Sequence, residues 1–282
     1  MDKANLVTWE KAIEILRRNP ENRDLIFNSY LTDDIFENSR RFFTSGEFAE
    51  VLKLIRREMP NARDVLDIPG GNGIATYSFV RSGFVVTTVE PDPSETVGRG
   101  AISKVLAAED LHAEIVNAYG EKLPFYDSSF DVVYVRQGLH HASNLPKMLK
   151  EMARVLRPGG LLVACREHVV DDYNQSLKAF LDAQVDHQLY GGENAFTLPD
   201  YLAAIRKSGL KLISKIAPYD SEINFYPENR EAWETRISNS LPGKTLGILL
   251  PKSIVMTLAR FALNRRKSPG RLYTFIARKQ AS

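Results

Sequence analysis

An apolar run that breaks abruptly into glycine constrains this chain more than any other feature. Residues 65–73 read Val-Leu-Asp-Ile-Pro-Gly-Gly-Asn-Gly. The pattern predicts a buried strand over 65–68, a sharp turn at Pro69, Gly70, Gly71 and Gly73, and a helix over 74–81. Without side chains at the three glycines the backbone can bend tightly and let a ligand come close, where amides at a helix start serve its polar atoms. An ordinary strand-to-helix turn uses the same residues, and a glycine cluster alone does not separate the two readings. A second strand over 84–89 ends in Glu90-Pro91-Asp92, which sets a carboxylate 17 positions past Gly73. In a doubly wound sheet the end of the second strand lies beside the first turn, and an acid there accepts both hydroxyls of a ribose. Two features therefore point to one nucleotide-type crevice.

From residue 64 to 167 the order is strand, helix, strand, helix, strand, strand, helix, strand. The helices are expected over 74–81, 94–108 and 144–156, and the third to fifth strands over 112–116, 130–135 and 161–167. Such alternation argues an α/β fold, a doubly wound, mostly parallel sheet with helices on both faces. Three helices precede it, over 8–18 with Thr8 as N-cap, 32–43 and 45–59. Helices over 172–187 and 198–208 and a sixth strand over 210–217 follow.

The third stretch selects among ribose-containing cofactors. Gly120 leads into Glu121-Lys122-Leu123-Pro124-Phe125, followed by Ser129-Phe130-Asp131-Val132-Val133, by Leu139-His140-His141, and by EMARVLRPGG over residues 151–160. In this order and spacing the block resembles class I S-adenosylmethionine-dependent methyltransferases of the type 11 kind, over roughly residues 46–167. The resemblance implies a Rossmann-like seven-stranded sheet closed by an antiparallel strand at 271–278. It implies a core over 61–217 and 269–282, with substrate loop and helices at 171–208, under an N-terminal helical lid over 1–60, and an insertion over 218–268.

Carried onto this chain, the resemblance implies that Asp67 and the turn at Pro69, Gly70, Gly71 and Gly73 hold the methionine part of S-adenosyl-L-methionine. Glu90, with Pro91 beside it, would bind the ribose; Tyr119, Gly120 and Glu121 would flank the adenine; Arg136 and Gln137 would line the methionine end. Two positions depart from the family. Pro69 replaces its first motif glycine, with Gly70 next in line, and Tyr119 replaces the acid that contacts the adenine amine, where a tyrosine can stack on the purine instead. Lid helices in the family pack over the crevice, which would bring Tyr30, Arg40, Arg41 or Phe43 near it, unless they are plain packing helices.

Methyl transfer from a sulfonium needs alignment more than acid–base help. An oxygen acceptor must still lose a proton, a task suited to histidine. His140 and His141 after the fourth strand, and His168 after the fifth, are the candidates for a general base; backbone hydrogen bonding is the alternative role for the pair. The glycine-rich connection places His187, Tyr190, Glu193 and Asn194 where open α/β sheets take substrates. No histidine, cysteine or carboxylate spacing matches a metal site, so a metal-independent reaction is expected.

The chain has 282 residues, enough for one large domain with additions. Its single cysteine, Cys165, excludes an internal disulfide and suits a reducing, cytoplasmic setting. The first residues carry acids and no long apolar core, unlike a secretory signal. Residues 235–282 hold ten Lys or Arg and no acid, which leaves 27 of the 37 basic residues against all 35 acids in residues 1–234. Within that basic tail, residues 252–264 place Ile254, Val255, Leu258, Phe261 and Ala262 on one helical face with Arg260, Arg265, Arg266 and Lys267 on or after the other. This resembles an interfacial helix, and residues 252–267 could meet the inner membrane surface peripherally; packing on the domain or on a second subunit is the alternative. No recognisable nucleic-acid motif accompanies the basic residues.

The function expected is methyl transfer from S-adenosylmethionine to a small-molecule acceptor, foremost to oxygen of a sugar, lipid-linked glycan or specialised metabolite. The rivals are a nicotinamide-type oxidoreductase using the same crevice and a non-catalytic cofactor-binding scaffold at a membrane.

Overall fold

The computed structural model describes residues 6–267 and 269–281. Residues 1–5 of the expected lid, Ser268 at the end of the expected insertion and Ser282 lie outside the described residues. Strands β1 (Asp64–Asp67), β2 (Val85–Val89), β3 (Glu114–Val116), β4 (Phe130–Arg136), β5 (Leu156–Val170), β6 (Phe196–Thr197), β7 (Leu210–Ile216) and β8 (Arg271–Lys279) form one sheet. Its order is β3-β2-β1-β4-β5-β8-β7, with β6 paired to β5. Only β8 runs antiparallel to both of its neighbours. The expected seven-stranded, mostly parallel sheet is thus present, and the two-residue β6 adds an eighth strand that periodicity could not register.

Helices α1 (Trp9–Arg18), α2 (Arg23–Asn28), α3 (Ile35–Phe43) and α4 (Gly46–Glu58) precede the sheet. Thr8, Asp34 and Ser45 cap α1, α3 and α4 by accepting amides three residues on. On one face, Phe48, Val51 and Ile55 of α4 and Phe79 of α5 (Ile74–Arg81) cover Val65, Tyr134, Val163 and Ile276. On the other, Leu149 and Met152 of α7 (Leu145–Val155) and Tyr201 and Ile205 of α10 (Leu198–Lys207) cover Leu162, Ala164 and Phe275.

Besides α2, which was not expected, two helices differ from expectation. The helix expected from residue 94 begins only at α6 (Arg99–Ala107), because Ser94 Oγ takes the amides of Thr96 and Val97 in a separate turn and the Gly98 backbone closes against the Asp92 carbonyl. The one expected over 172–187 is split into α8 (Gln175–Ala183) and α9 (Val185–Tyr190) by Gln184, whose backbone is extended.

The block that carries the family resemblance is largely a structural clamp. Arg154 donates to the carbonyls of Phe125 and Leu123, at 2.7 and 2.9 Å, and Glu151 accepts the Leu123 amide. Asp131 accepts the amides of Arg63 and Asp64 and pairs with Arg157. The first set ties the 123–125 segment to α7, and the second ties β4 to the start of β1 and to Arg157 of β5.

Residues 218–268 divide in two. α11 (Glu222–Phe225) is built into the core, with Ile223 buried and the Asn224 amide donating to the Ile216 and Ala217 carbonyls. α12 (Arg230–Asn239), α13 (Leu241–Leu249) and α14 (Lys252–Arg265) gather their own small core around Trp233, Ile237, Val255 and Met256. The expected single apolar face of α14 is in fact two: Val255 and Met256 turn inward, whereas Ile254, Leu258 and Phe261 stay exposed. No helix among the described residues is long and apolar enough to cross a membrane.

Candidate active site

At the end of β1 the chain turns from Asp67 through Pro69, Gly70, Gly71 and Gly73 into α5. Asp67 is buried, and its Oδ2 accepts Thr76 Oγ1 at 2.7 Å, whereas its Oδ1 is buried with no hydrogen-bond partner. Gly71 and Gly73 hold positive φ, and at Gly71 the space where a side chain would stand is open. A side chain at Gly70 would collide with Thr88 and Ile102. Pro69 packs its ring against Gly138, which ties this turn to the segment after β4.

Glu90 is buried at the end of β2. Its Oε2 accepts the Gly71 amide and its Oε1 the Asp92 amide, both at 2.8 Å. An ionised carboxylate has about four acceptor sites, so each oxygen keeps capacity for a hydroxyl. Burial raises both Asp67 and Glu90 to about 7. A buried orphan acceptor and a half-used carboxylate on one glycine turn match an ammonium and a ribose diol, the polar ends of the expected cofactor.

The other residues expected at the cofactor sit as follows. Pro91 offers its carbonyl to Arg99. Tyr119 is 69% exposed, Gly120 packs on Met148, and Glu121 accepts Ser143 and Asn144 amides, capping the segment after His141. Arg136 is committed to a bidentate pair with Glu47 of α4, at 2.6 and 3.1 Å, and also donates to Gln137 Oε1. Of the lid residues, Tyr30 reaches the turn, since its carbonyl accepts Asn72 Nδ2 at 2.6 Å. Arg40 instead binds Glu109, Arg41 stacks on Phe27, and Phe43 packs against Phe48 and Tyr77.

All three candidate histidines meet at one place: His140 and His141 follow β4, and His168 lies in the last part of β5, not after it as expected. His140 Nδ1 lies 2.9 Å from Glu167 Oε2, and its Nε2 lies 3.5 Å from Glu193 Oε2. The rings of His141 and His168 stand 4.2 and 4.7 Å from that of His140, centroid to centroid. His141 Nδ1 lies 2.9 Å from the Gly192 carbonyl and His168 Nδ1 lies 3.2 Å from the Gly270 carbonyl. Tyr190 donates to Glu193 at 2.7 Å. The spacing of these residues shows no metal pattern, yet the fold brings ligand atoms of His140, His168 and Glu193 within 4.8 Å of one another. His187 is half-buried with Nδ1 unpartnered, and the Asn194 side chain makes no hydrogen bond among the described residues.

The electrostatics follow from burial and charge. Burial disfavours the His140 cation, but Glu167 and Glu193 on either side raise it to about 9. Burial and the neighbouring His140 charge push His168 down to about 3. Burial works against the Glu193 anion, and its hydrogen bonds to His140 and Tyr190 with the adjoining histidines override that to about 2. The cluster holds one cation, His140, between two carboxylates.

Two buried acids were given no site role from sequence. Glu167 accepts the backbone amides of Gly138, Leu139 and His140 besides the His140 ring. Its signal is the polar triplet Arg166-Glu167-His168 that interrupts the apolar residues of β5. Glu47, fully buried on α4, pairs with Arg136 and lies 3.9 Å from Arg166. Its place at a helix start reads as an ordinary first-turn acid.

Trp9 and Tyr190 pack ring to ring, and Glu10 accepts the hydroxyls of Ser94 and Thr96. The first helix therefore spans from the β2 end of the crevice to the histidine cluster.

Residues 66–164 match the family model of a methyltransferase domain. The chain is similar to an uncharacterized methyltransferase of Mycobacterium sp. (strain KMS), 35% identical over 120 residues, which are 43% of this chain and 45% of that protein. It is similar to the ubiquinone/menaquinone biosynthesis C-methyltransferase UbiE of Hahella chejuensis, 41% identical over 35% of this chain and 41% of the relative. The chain thus spans less than half the length of the curated relatives it matches. Its fold resembles the solved structure of a geranyl diphosphate methyltransferase in complex with SAM, with a TM-score of 0.56 at 14% identity over 94% of each chain. The glycine turn, the acid closing β2, the 3-2-1-4-5 sheet order and these likenesses agree: residues 66–164 carry a methyltransferase domain, set in a sheet of the class I, Rossmann-like kind.

Proposed function

We propose that this chain transfers a methyl group from S-adenosylmethionine to an oxygen of a small-molecule acceptor. The observation that carries the donor is the buried, unpartnered Asp67 Oδ1 at the glycine turn. Asp67 would take the ammonium of the donor and Glu90 its ribose hydroxyls. When bound, the donor supplies an activated methyl group on a sulfonium sulfur, so alignment carries most of the rate.

The acceptor is placed against His141, Tyr190 and Glu193. With Nδ1–H donated to the Gly192 carbonyl, His141 keeps its Nε2 lone pair for an acceptor hydroxyl. The Trp9–Tyr190 contact and the Glu10 bonds hold α1 over this region, which restricts water. A sugar, a lipid-linked glycan or a specialised metabolite meets these requirements. Transfer to carbon is the second reading, supported by the relatives named UbiE C-methyltransferase and sterol 4-C-methyltransferase. A labelled-methyl screen of cell extracts tests both. An O-methyl product whose formation falls in His141→Ala supports the first; a C-methyl product formed equally by His141→Ala supports the second.

We further propose that α13 and α14 rest on an anionic lipid surface. Ile248, Leu249, Ile254, Leu258 and Phe261 are exposed, Phe261 by 56%, and Lys244, Arg265, Arg266 and Lys267 lie in or just after the same two helices. Apolar side chains amid cations, in a segment without acids, fit headgroups and negative charge together. Flotation with phosphatidylglycerol vesicles is expected to carry the protein, and phosphatidylcholine vesicles alone are not.

A further inference from the structure

The histidine cluster has the makings of a metal site, one that shares Glu193 and Tyr190 with the acceptor region proposed above. We propose that His140 Nε2, His168 Nε2 and a Glu193 carboxylate oxygen bind one divalent transition-metal cation of the zinc type. The three ligands come from separate segments: the turn after β4, the end of β5 and the connection after α9.

Each ligand is already oriented from behind. Glu167 holds His140 Nδ1 and the Gly270 carbonyl holds His168 Nδ1, which leaves the Nε2 atom of each ring as the one to meet a metal. Tyr190 anchors Glu193 Oε1, which leaves Oε2 facing His140 at 3.5 Å. Carboxylate or carbonyl partners behind metal-binding histidines fix the tautomer and raise ligand basicity. His168 Nε2 has no hydrogen-bond partner among the described residues, so its lone pair is uncommitted. The donors of a tetrahedral zinc site, with bonds of about 2.0–2.1 Å, stand roughly 3.3 Å apart. The His140–Glu193 pair is near that spacing. The widest pair, within 4.8 Å, closes by up to roughly 1.5 Å on binding.

Two imidazoles and one carboxylate suit zinc, cobalt or ferrous ions over magnesium or calcium, which favour oxygen donors. On binding, the proton on His140 Nε2 leaves to solvent and the metal–nitrogen bond takes its place. Three protein ligands leave a fourth position for water or an acceptor oxygen.

The test uses the untagged full chain, stripped with chelator and titrated with Zn²⁺ and then with Co²⁺ as a spectroscopic probe. One equivalent of Zn²⁺ is expected, with a rise in Tm and a visible Co²⁺ band of a nitrogen–oxygen site. His168→Ala and Glu193→Gln should each weaken binding by at least about tenfold and abolish the Co²⁺ band. His112→Ala, at an exposed histidine paired with Asp110, should change nothing. Circular dichroism of each variant separates lost binding from lost fold. S-Adenosylhomocysteine titrations on the same samples show whether the donor site fails separately. Absence of stoichiometric binding in wild type, or binding unchanged in folded His168→Ala and Glu193→Gln, overturns the proposal.

Discussion

Glu167 and His140 form a buried pair, Oε2 to Nδ1 at 2.9 Å, and the same carboxylate gathers the amides of Gly138, Leu139 and His140. Burial pushes the Glu167 carboxyl up, but these bonds and the His140 charge bring it below its ordinary value. One acid from β5 thus shapes the turn after β4 and orients the histidine at its centre.

Removing that acid strands an imidazolium and three amide donors in the interior. Glu167→Ala is expected to cost about 3 kcal/mol, which lowers Tm by roughly 6–12 °C in a chain of this size. Differential scanning calorimetry checks it. A variant that melts with wild type would mean the turn is held by other contacts.

The Glu47–Arg136 pair plays the corresponding part for the N-terminal helices. Arg136 also lies over the rings of Tyr30 and Phe42, so one guanidinium joins α4, the segment after α2 and the end of β4. In a double-mutant cycle by urea unfolding, Glu47→Gln and Arg136→Met should each destabilise, and the double variant should lose less than their sum by roughly 1–3 kcal/mol. Strict additivity would show that the pair is not coupled.

How far could these relationships be read from sequence? The glycine turn, the acid closing β2 and the alternating order were legible because each is local: a strand, a bend and a helix are written in consecutive residues. The carboxylate of Glu167 was not, because its partners come from residues 138–140 and the pairing exists only once β4 and β5 lie side by side. The same holds for His140, His168 and Glu193, whose ligand atoms converge from three segments without any fixed spacing. The 121–125 and 151–160 block was the most recognisable feature, and the bonds of Arg154 and Glu151 explain it as a clamp. Recognition there reported the fold more than the chemistry. The helix over 252–264 misled in a different way: at one apolar residue in two, its pattern accommodates both an inward and an outward face.

The pH dependence follows from the two acids of the crevice. Asp67 and Glu90 are raised by burial from 3.8 and 4.5 to about 7, so between about pH 4 and 7 the folded chain binds more protons than the unfolded one. Their contribution to stability is complete below that window, is lost as pH rises through it, and is flat above about 7. Glu90→Gln should therefore show a shallower decline of Tm across the window than wild type. Affinity for S-adenosylhomocysteine runs the other way. A charged Glu90 is the better acceptor for ribose hydroxyls, so binding should strengthen as pH rises past 7, and Glu90→Gln should lose much of that gain. An affinity independent of pH in wild type would contradict this assignment.

The two faces of α14 should respond oppositely to charge. Leu258→Asp with Phe261→Asp changes exposed positions and should move stability by no more than about 0.5 kcal/mol, while vesicle flotation is lost. Val255→Asp places a carboxylate against Trp233 and Ile237 and should melt this helical unit at lower temperature. Flotation that persists in the double variant would place the lipid contact elsewhere.

Calorimetric titration of the wild-type chain with S-adenosylhomocysteine, alongside NADH, decides whether the crevice takes a methyl donor. Saturable binding of S-adenosylhomocysteine at one site is expected, weakened by at least about tenfold, or 1.4 kcal/mol, in both Asp67→Asn and Glu90→Gln, with no heat from NADH. Binding of NADH without S-adenosylhomocysteine, or equal affinity in wild type and both folded variants, would contradict it.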